Sequence, residues 1–168
     1  GQIVPHLLYE FFELQGIGSH FPDDVNKKNS EPVIVKIVGN NVSPVNVGYL
    51  LDITKNHIMQ VTAESGEAGP ILDSLHSKTS LFGDKNLKLL KTLKLDFISD
   101  TADTGYFFFK NGIVELSADG IELKPYSDFD NYVWEKSIIQ MDFFPVDEIE
   151  LDKSDFMQFL KDLTIVEE

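Results

Sequence analysis

Asp96-Phe-Ile-Ser-Asp100-Thr-Ala-Asp103-Thr-Gly-Tyr106-Phe-Phe-Phe109-Lys-Asn111-Gly112-Ile-Val-Glu115-Leu-Ser-Ala-Asp119-Gly120-Ile-Glu122-Leu123 is the stretch whose reading decides the fold. It holds two hairpin signals, Asn111-Gly112 and Asp119-Gly120. Both suit a type I′ turn, which needs positive φ at its two central residues. The flanks Tyr106–Phe109, Ile113–Leu116 and Ile121–Leu123 are aromatic or branched, as strands prefer. The stretch therefore reads as a three-stranded antiparallel meander, the rigid centre of the chain, with helices packed on or beside it. That is an α+β fold.

Working outward, Leu7, Leu8, Phe11, Phe12 and Leu14 recur at helical spacing with Glu10 and Glu13 outside, so residues 4–14 are expected to be helical and to end at Gly16 and Gly18. Residues 19–31 read as a polar loop. Val33–Val38 reads as a buried strand closed by Gly39-Asn40-Asn41. Ser43-Pro44 has the form of an N-cap and first helical residue. The helix that follows runs to about Thr62, with Val47, Leu50, Leu51, Ile58 and Val61 on one face. Beyond the breaks at Gly66 and Gly69-Pro70, a second helix carries Ile71, Leu72 and Leu75, and a third spans about Asn86 to Leu93. After the meander comes a turn-rich link, Pro125–Asn131, then an apolar segment around Trp134, Tyr132–Met141, which fits either strand or helix and is read as a strand. Asp152 or Ser154 caps a last amphipathic helix of about 153–164 with Phe156, Phe159, Leu160 and Leu163 inward. The organisation is one domain over 1–168, helical at about 44–93 and β-meander at about 95–141.

Composition narrows the functional classes. The chain has 168 residues, 42% hydrophobic and 25% charged, which suits one globular domain with a real core. No apolar run is long enough to span a bilayer and no signal peptide opens the chain, so a cytoplasmic location is expected. Gly1-Gln2 reads as the start of a piece cut from a longer protein. The absence of cysteine excludes disulfides, thiolate zinc sites and a cysteine nucleophile. The net charge of −14 opposes nucleic-acid binding by the chain as a whole. From Asp128 onward there are twelve Asp or Glu against three Lys, Lys136, Lys153 and Lys161, which reads as a solvated face or as a docking surface for a basic partner.

Few residues suggest chemistry. Lys85, Lys88, Lys91 and Lys94, with Lys78, are the best basic feature: spaced by three on the third helix, they form either a solvated face or a phosphate-facing stripe. The stripe contains no Arg and no aromatics. Asp96, Asp100 and Asp103 resemble a carboxylate cluster for magnesium, but such aspartates more often cap turns. Glu115, Asp119 and Glu122 fit the wet face of the meander. His6, His20, His57 and His76 lack metal-ligand spacing. There is no Gly-x-Ser-x-Gly motif and no P-loop. The Phe107-Phe108-Phe109 run reads as core. No catalytic residue, metal or cofactor is expected in this segment.

The central motif, Asp100-Thr-x-Asp103 followed by Tyr106-Phe-Phe-Phe109-Lys-Asn111-Gly112-x-Val114-Glu115 and Asp119-Gly120, with Tyr126 and Trp134 beyond, resembles a segment of phage and mobile-element primase-helicases. There it lies just ahead of a superfamily-3, AAA+-type helicase core, in the region related to the poxvirus-type primase-helicase N-terminal domain. The resemblance covers roughly residues 96–143, and the Phe-Lys-Asn-Gly hairpin is its specific part. Ser154-Asp-Phe-x-x-Phe159-Leu160 looks like the run-in to the helicase core. The resemblance implies a non-catalytic accessory domain in DNA replication, set between primase and helicase modules and helping assembly or DNA guidance. It also implies a parent that is an ATP-dependent helicase with primase activity. The implied partners are the primase and helicase modules of the same chain, DNA, and further copies through a ring domain; no membrane is involved. A stand-alone acidic module that binds a basic protein is the alternative from a different class.

Overall fold

The structure, a computed structural model, describes residues 3–22 and 31–145. Helix α1 (Pro5–Leu14) starts with proline, which needs no hydrogen-bond partner in the first turn. Strands β1 (Ile17–His20), β2 (Val33–Val38) and β3 (Asn41–Pro44) follow. Then come α2 (Val47–Val61), α3 (Ala68–Ser77), a 3-10 turn at Thr79–Phe82 and the one-turn helix α4 (Asp84–Leu87). The meander is β4 (Thr104–Phe109), β5 (Gly112–Ser117) and β6 (Gly120–Lys124), and β7 (Val133–Trp134) completes the strands. The fold is α+β, as the sequence pattern indicates. The expected helix at about 153–164 lies outside the described residues.

Among the described residues there are two sheets rather than one. The first has the order β1-β2-β3-β7, antiparallel except for the parallel β3–β7 pair; the second is the meander β4-β5-β6. Strand β1 falls where a loop was expected, because Ile-Gly-Ser-His carries little strand propensity and is held by its neighbours. Its residues pair with β2 from Ile17↔Lys36 to His20↔Val33. Residues directly opposite in a ladder share a face. Ile17, Ser19, Ile34 and Lys36 therefore point one way, while Gly18, His20, Val35, Val42 and Trp134 point the other. The first face meets the helices. Ile17 joins Leu8, Phe12, Leu50, Leu75, Phe82, Leu87 and Leu90 in the main core, and the Lys36 ammonium donates to the Tyr49 hydroxyl of α2 at 2.5 Å.

That core, and not the meander, is the centre of the molecule: Phe12 and Leu50 are fully buried, whereas Phe107, Leu116 and Ile121 are 46%, 43% and 64% exposed. Three local readings also change. The cap of α2 is Asn46, whose side chain accepts the Tyr49 N–H at 2.9 Å; Ser43 and Pro44 belong to β3, since an Asx acceptor three residues ahead suffices. The third helix stops at Leu87, because Lys91–Leu93 is drawn off to pair with β1: Ser19 N–H donates to Lys91 O and Leu93 N–H to Ser19 O. The strand expected over Tyr132–Met141 shrinks to Val133–Trp134 before a 3-10 turn at Glu135–Ser137.

The hairpins form at the expected places but one residue earlier in phase. Phe109 pairs with Gly112 and Ser117 with Gly120, so the two-residue loops are Lys110-Asn111 and Ala118-Asp119. No non-glycine residue among those described has positive φ, so neither turn is type I′. The positive φ sits instead on the first residue of the next strand, Gly112 at 156° and Gly120 at 130°. At Gly112 only glycine fits, because a Cβ would lie 2.5 Å from the Lys124 carbonyl oxygen.

Candidate functional site

The residues that carry the family resemblance are spent on holding the chain in place. Asn111 grips the backbone of Phe143 in both directions: its amide donates to Phe143 O at 2.8 Å and its oxygen accepts Phe143 N–H at 2.9 Å. Beside it, Ile139 N–H donates to Phe108 O and Lys110 N–H to Met141 O. The Phe143 ring packs on Phe109, centroids 5.3 Å apart. The Tyr126 hydroxyl donates to Phe109 O at 2.8 Å, and burial raises that phenol above its ordinary 10.0. Asp100 accepts the Tyr106 N–H at 2.8 Å at the entrance to β4, and Asp103 N–H donates weakly to Thr101 Oγ1 at 3.4 Å. Asp119 N–H donates to Ser117 Oγ at 3.2 Å in the second turn. Of the three, only Asp100 builds its turn with its carboxylate; Asp103 and Asp119 contribute backbone N–H groups.

The two faces of the meander differ. Cross-strand register places Tyr106, Glu115 and Glu122 on one face with Lys124, which pairs with Glu115 at 3.0 Å and Glu122 at 3.4 Å. The hydrogen bond that Lys124 donates to the Glu115 carboxylate is the main reason the pKa of its ammonium is raised above the ordinary value. The opposite face carries Gly105, Phe107, Phe109, Val114, Leu116, Ile121 and Leu123, with no polar side chain. Val114 is buried, but Phe107, Leu116, Ile121 and Leu123 remain open to solvent.

Lys85, Lys88, Lys91 and Lys94 are all exposed, but they do not form a helical stripe. Lys85 is in α4, Lys88 just beyond it, and Lys91 and Lys94 on the extended segment that follows. That segment has a consequence that sequence reasoning missed. Residues 91–93 pair with β1, and further on Tyr132 N–H donates to Asp96 O while Ile98 N–H donates to Tyr132 O. One extended strip thus touches both edges of the first sheet and closes it into a ring. Asn40 fastens the far side, its amide donating to Phe129 O at 2.6 Å and Asn131 O at 2.8 Å.

Aromatic side chains from three elements meet within the ring. Phe97 and Trp134 stack at 4.8 Å and 8°, and His20 leans on both at 5.5 and 5.9 Å. Lys136 lies 5.6 Å from the Trp134 ring centre. Beside them opens a cavity of about 440 Å³ lined by His20, Phe21, Pro22 and Thr92–Phe97. No local pattern signals this cluster, since its members are brought together only by ring closure. The other described histidines are structural or peripheral; His57 stacks on Phe11 at 4.6 Å. Among the described residues, no three His, Asp or Glu side chains converge on a metal-sized site.

Comparison of the chain with models of protein families, with characterised proteins and with solved structures yields no match. No helix among the described residues is long and apolar enough to cross a membrane.

Proposed function

We propose that this chain is a non-catalytic accessory domain of a DNA-replication primase-helicase, seated between primase and helicase modules in the cytoplasm, where it orders their assembly and guides DNA. The observation that carries the reading is the meander itself. The residues resembling the primase-helicase segment build a staple on the chain leaving the sheet, and the same sheet leaves Phe107, Leu116, Ile121 and Leu123 of its apolar face open to solvent. Exposed apolar patches of this kind mark protein-contact surfaces, and the occupant proposed here is a neighbouring module of the same parent chain. The parent would then be an ATP-dependent helicase that forms a ring of several copies. Lys85, Lys88, Lys91 and Lys94 are the proposed DNA-facing side.

The acidic balance supports a second reading, a stand-alone module that binds a basic protein. The reading frame downstream of codon 168 separates the two. A Walker A motif in that frame supports the primase-helicase role, and a nearby stop codon overturns it in favour of the stand-alone module. If the motif is present, Leu116→Lys with Ile121→Lys should weaken association with the helicase module and leave the thermal midpoint almost unchanged, because both side chains are already exposed. Unaltered association would exclude the apolar face as the contact.

A further inference from the structure

We infer that the cavity at the closed edge of the first sheet is a binding site for single-stranded nucleic acid, taking one unstacked base against Phe97 and His20 and a flanking phosphate on Lys94. The inference rests on the DNA-guidance part of the proposed role and gives it a site. Lys85 and Lys88 contribute at most to long-range attraction.

Four observations converge. The cavity, at about 440 Å³, falls within the range of roughly 300–1,000 Å³ typical of sites for small ligands. Its wall carries the Phe97 ring, braced from behind by Trp134, so the platform is stiff before any ligand arrives. Every base offers a π-face, and stacking on an aromatic ring needs no particular base identity. Second, His20 is 92% buried, with relative exposure of 8%, yet it lines the cavity. Its Nδ1 lies 3.4 Å from Leu93 O, and among the described residues no hydrogen bond engages Nε2. With His20 on the cavity wall and Nε2 not engaged among the described residues, the imidazole is available to a base or sugar hydroxyl. Third, Lys94 is on the cavity rim and exposed, a cation placed to meet a phosphate, whereas Lys136 lies over the Trp134 ring and is not among the cavity-lining residues. Fourth, Asp96 stands on the same wall with one carboxylate oxygen held by the Asn131 amide at 2.8 Å. The other oxygen can accept an exocyclic amino group, as carboxylates do with cytosine. Asp96 repels phosphate, which places the backbone at the lysine rim rather than inside.

The overall charge of −14 opposes this binding at long range, so the affinity must come from stacking and the Lys94 contact, and should be modest, with the shallow salt dependence of about one phosphate contact. Trp134 is the only tryptophan of the chain and reports directly. The experiment is titration of the intact 168-residue protein with single-stranded oligo-dC and with a blunt duplex of equal length. Trp134 fluorescence and the anisotropy of labelled oligonucleotide are followed together at low and moderate salt. Saturable quenching by the single strand, absent with the duplex, is the expected result. Phe97→Leu should weaken single-strand binding about tenfold or more, given the usual worth of a base–aromatic stack. Lys94→Glu, an exposed change that leaves the fold intact, should weaken it and flatten the salt dependence. Binding seen by anisotropy without Trp134 quenching, and indifferent to both variants, would overturn the cavity as the site while leaving DNA guidance through another face. No binding of either probe at low salt would overturn both, without touching the docking role, which the reading frame tests separately.

Discussion

Replacing Asn111 with alanine removes both hydrogen bonds that tie the hairpin loop to Phe143. Each such bond contributes about 1 kcal/mol net, so the staple is worth about 2 kcal/mol. If Phe143 also leaves Phe109, an aromatic contact of about 0.5–1.5 kcal/mol goes with it. The loss should be local, because the segment is otherwise held by backbone bonds to β4 and not by the main core. Amide hydrogen exchange is the suitable assay. The Ile139 amide, bonded to Phe108 O, and the Lys110 amide, bonded to Met141 O, sit under the staple. A loss of about 2 kcal/mol in opening free energy should speed their exchange roughly thirtyfold. The amides of α2 should keep their wild-type rates. Asn111→Asp keeps the acceptor for Phe143 N–H and loses the donor, so about 1 kcal/mol and roughly fivefold is expected there. Less than a threefold change at Ile139 in the alanine variant would refute the staple as an energetic feature.

Three further outcomes follow from the geometry. Gly18→Val places a Cβ where Leu93 Cδ1 lies 2.6 Å and Lys91 O 2.8 Å away, so it should cost about 1–3 kcal/mol and shift Trp134 emission to the red as the ring opens; an unshifted spectrum would count against closure by residues 91–98. Phe12→Ala empties a fully buried site between α1 and the Phe82 ring and should cost about 3–5 kcal/mol, read as a thermal midpoint lower by roughly 6–20 °C. Burial raises the phenols of Tyr126 and Tyr9 above 10.0, so their contribution to stability is full below pH 10 and is lost as pH rises through the folded-state values. Tyr126→Phe should therefore flatten the fall of the urea midpoint above pH 10, and an unchanged slope would contradict the burial argument.

What the sequence shows is what neighbours in the chain decide. The meander is legible because Asn111-Gly112 and Asp119-Gly120 set each turn within a few residues, although each loop lies one residue earlier than those pairs indicate. Helices α1, α2 and α3 are legible from their apolar spacing. Ring closure is not, since Ser19 meets Thr92 and Phe97 meets Tyr132 across long sequence separations. The leucines at 87, 89, 90 and 93 have helical spacing, but Leu87 and Leu90 are buried while Leu89 is 68% exposed. Pairing of 91–93 with β1 overrides the helix propensity of a Leu- and Lys-rich segment, as tertiary context can. The aromatic cluster was invisible for the same reason: its three rings come from β1, the closing strip and β7.

The staple also decides what kind of connection the segment after the meander makes. A clasp worth about 2 kcal/mol keeps a segment closed for all but a few per cent of the time. Residues 138–143 gain backbone bonds to β4 in addition, so their course along the hairpin is fixed. A fixed exit and an apolar face on the same small sheet are complementary. Phe143 already lies on Phe109 at one end of that face, leaving Phe107, Leu116, Ile121 and Leu123 uncovered beyond it. Under the proposed role, a module following the exit would be presented to the face at high effective concentration, so that a modest apolar contact would suffice to dock it. Loss of Asn111 would convert that mount into a tether, lowering the effective concentration without removing any contact from the docking face.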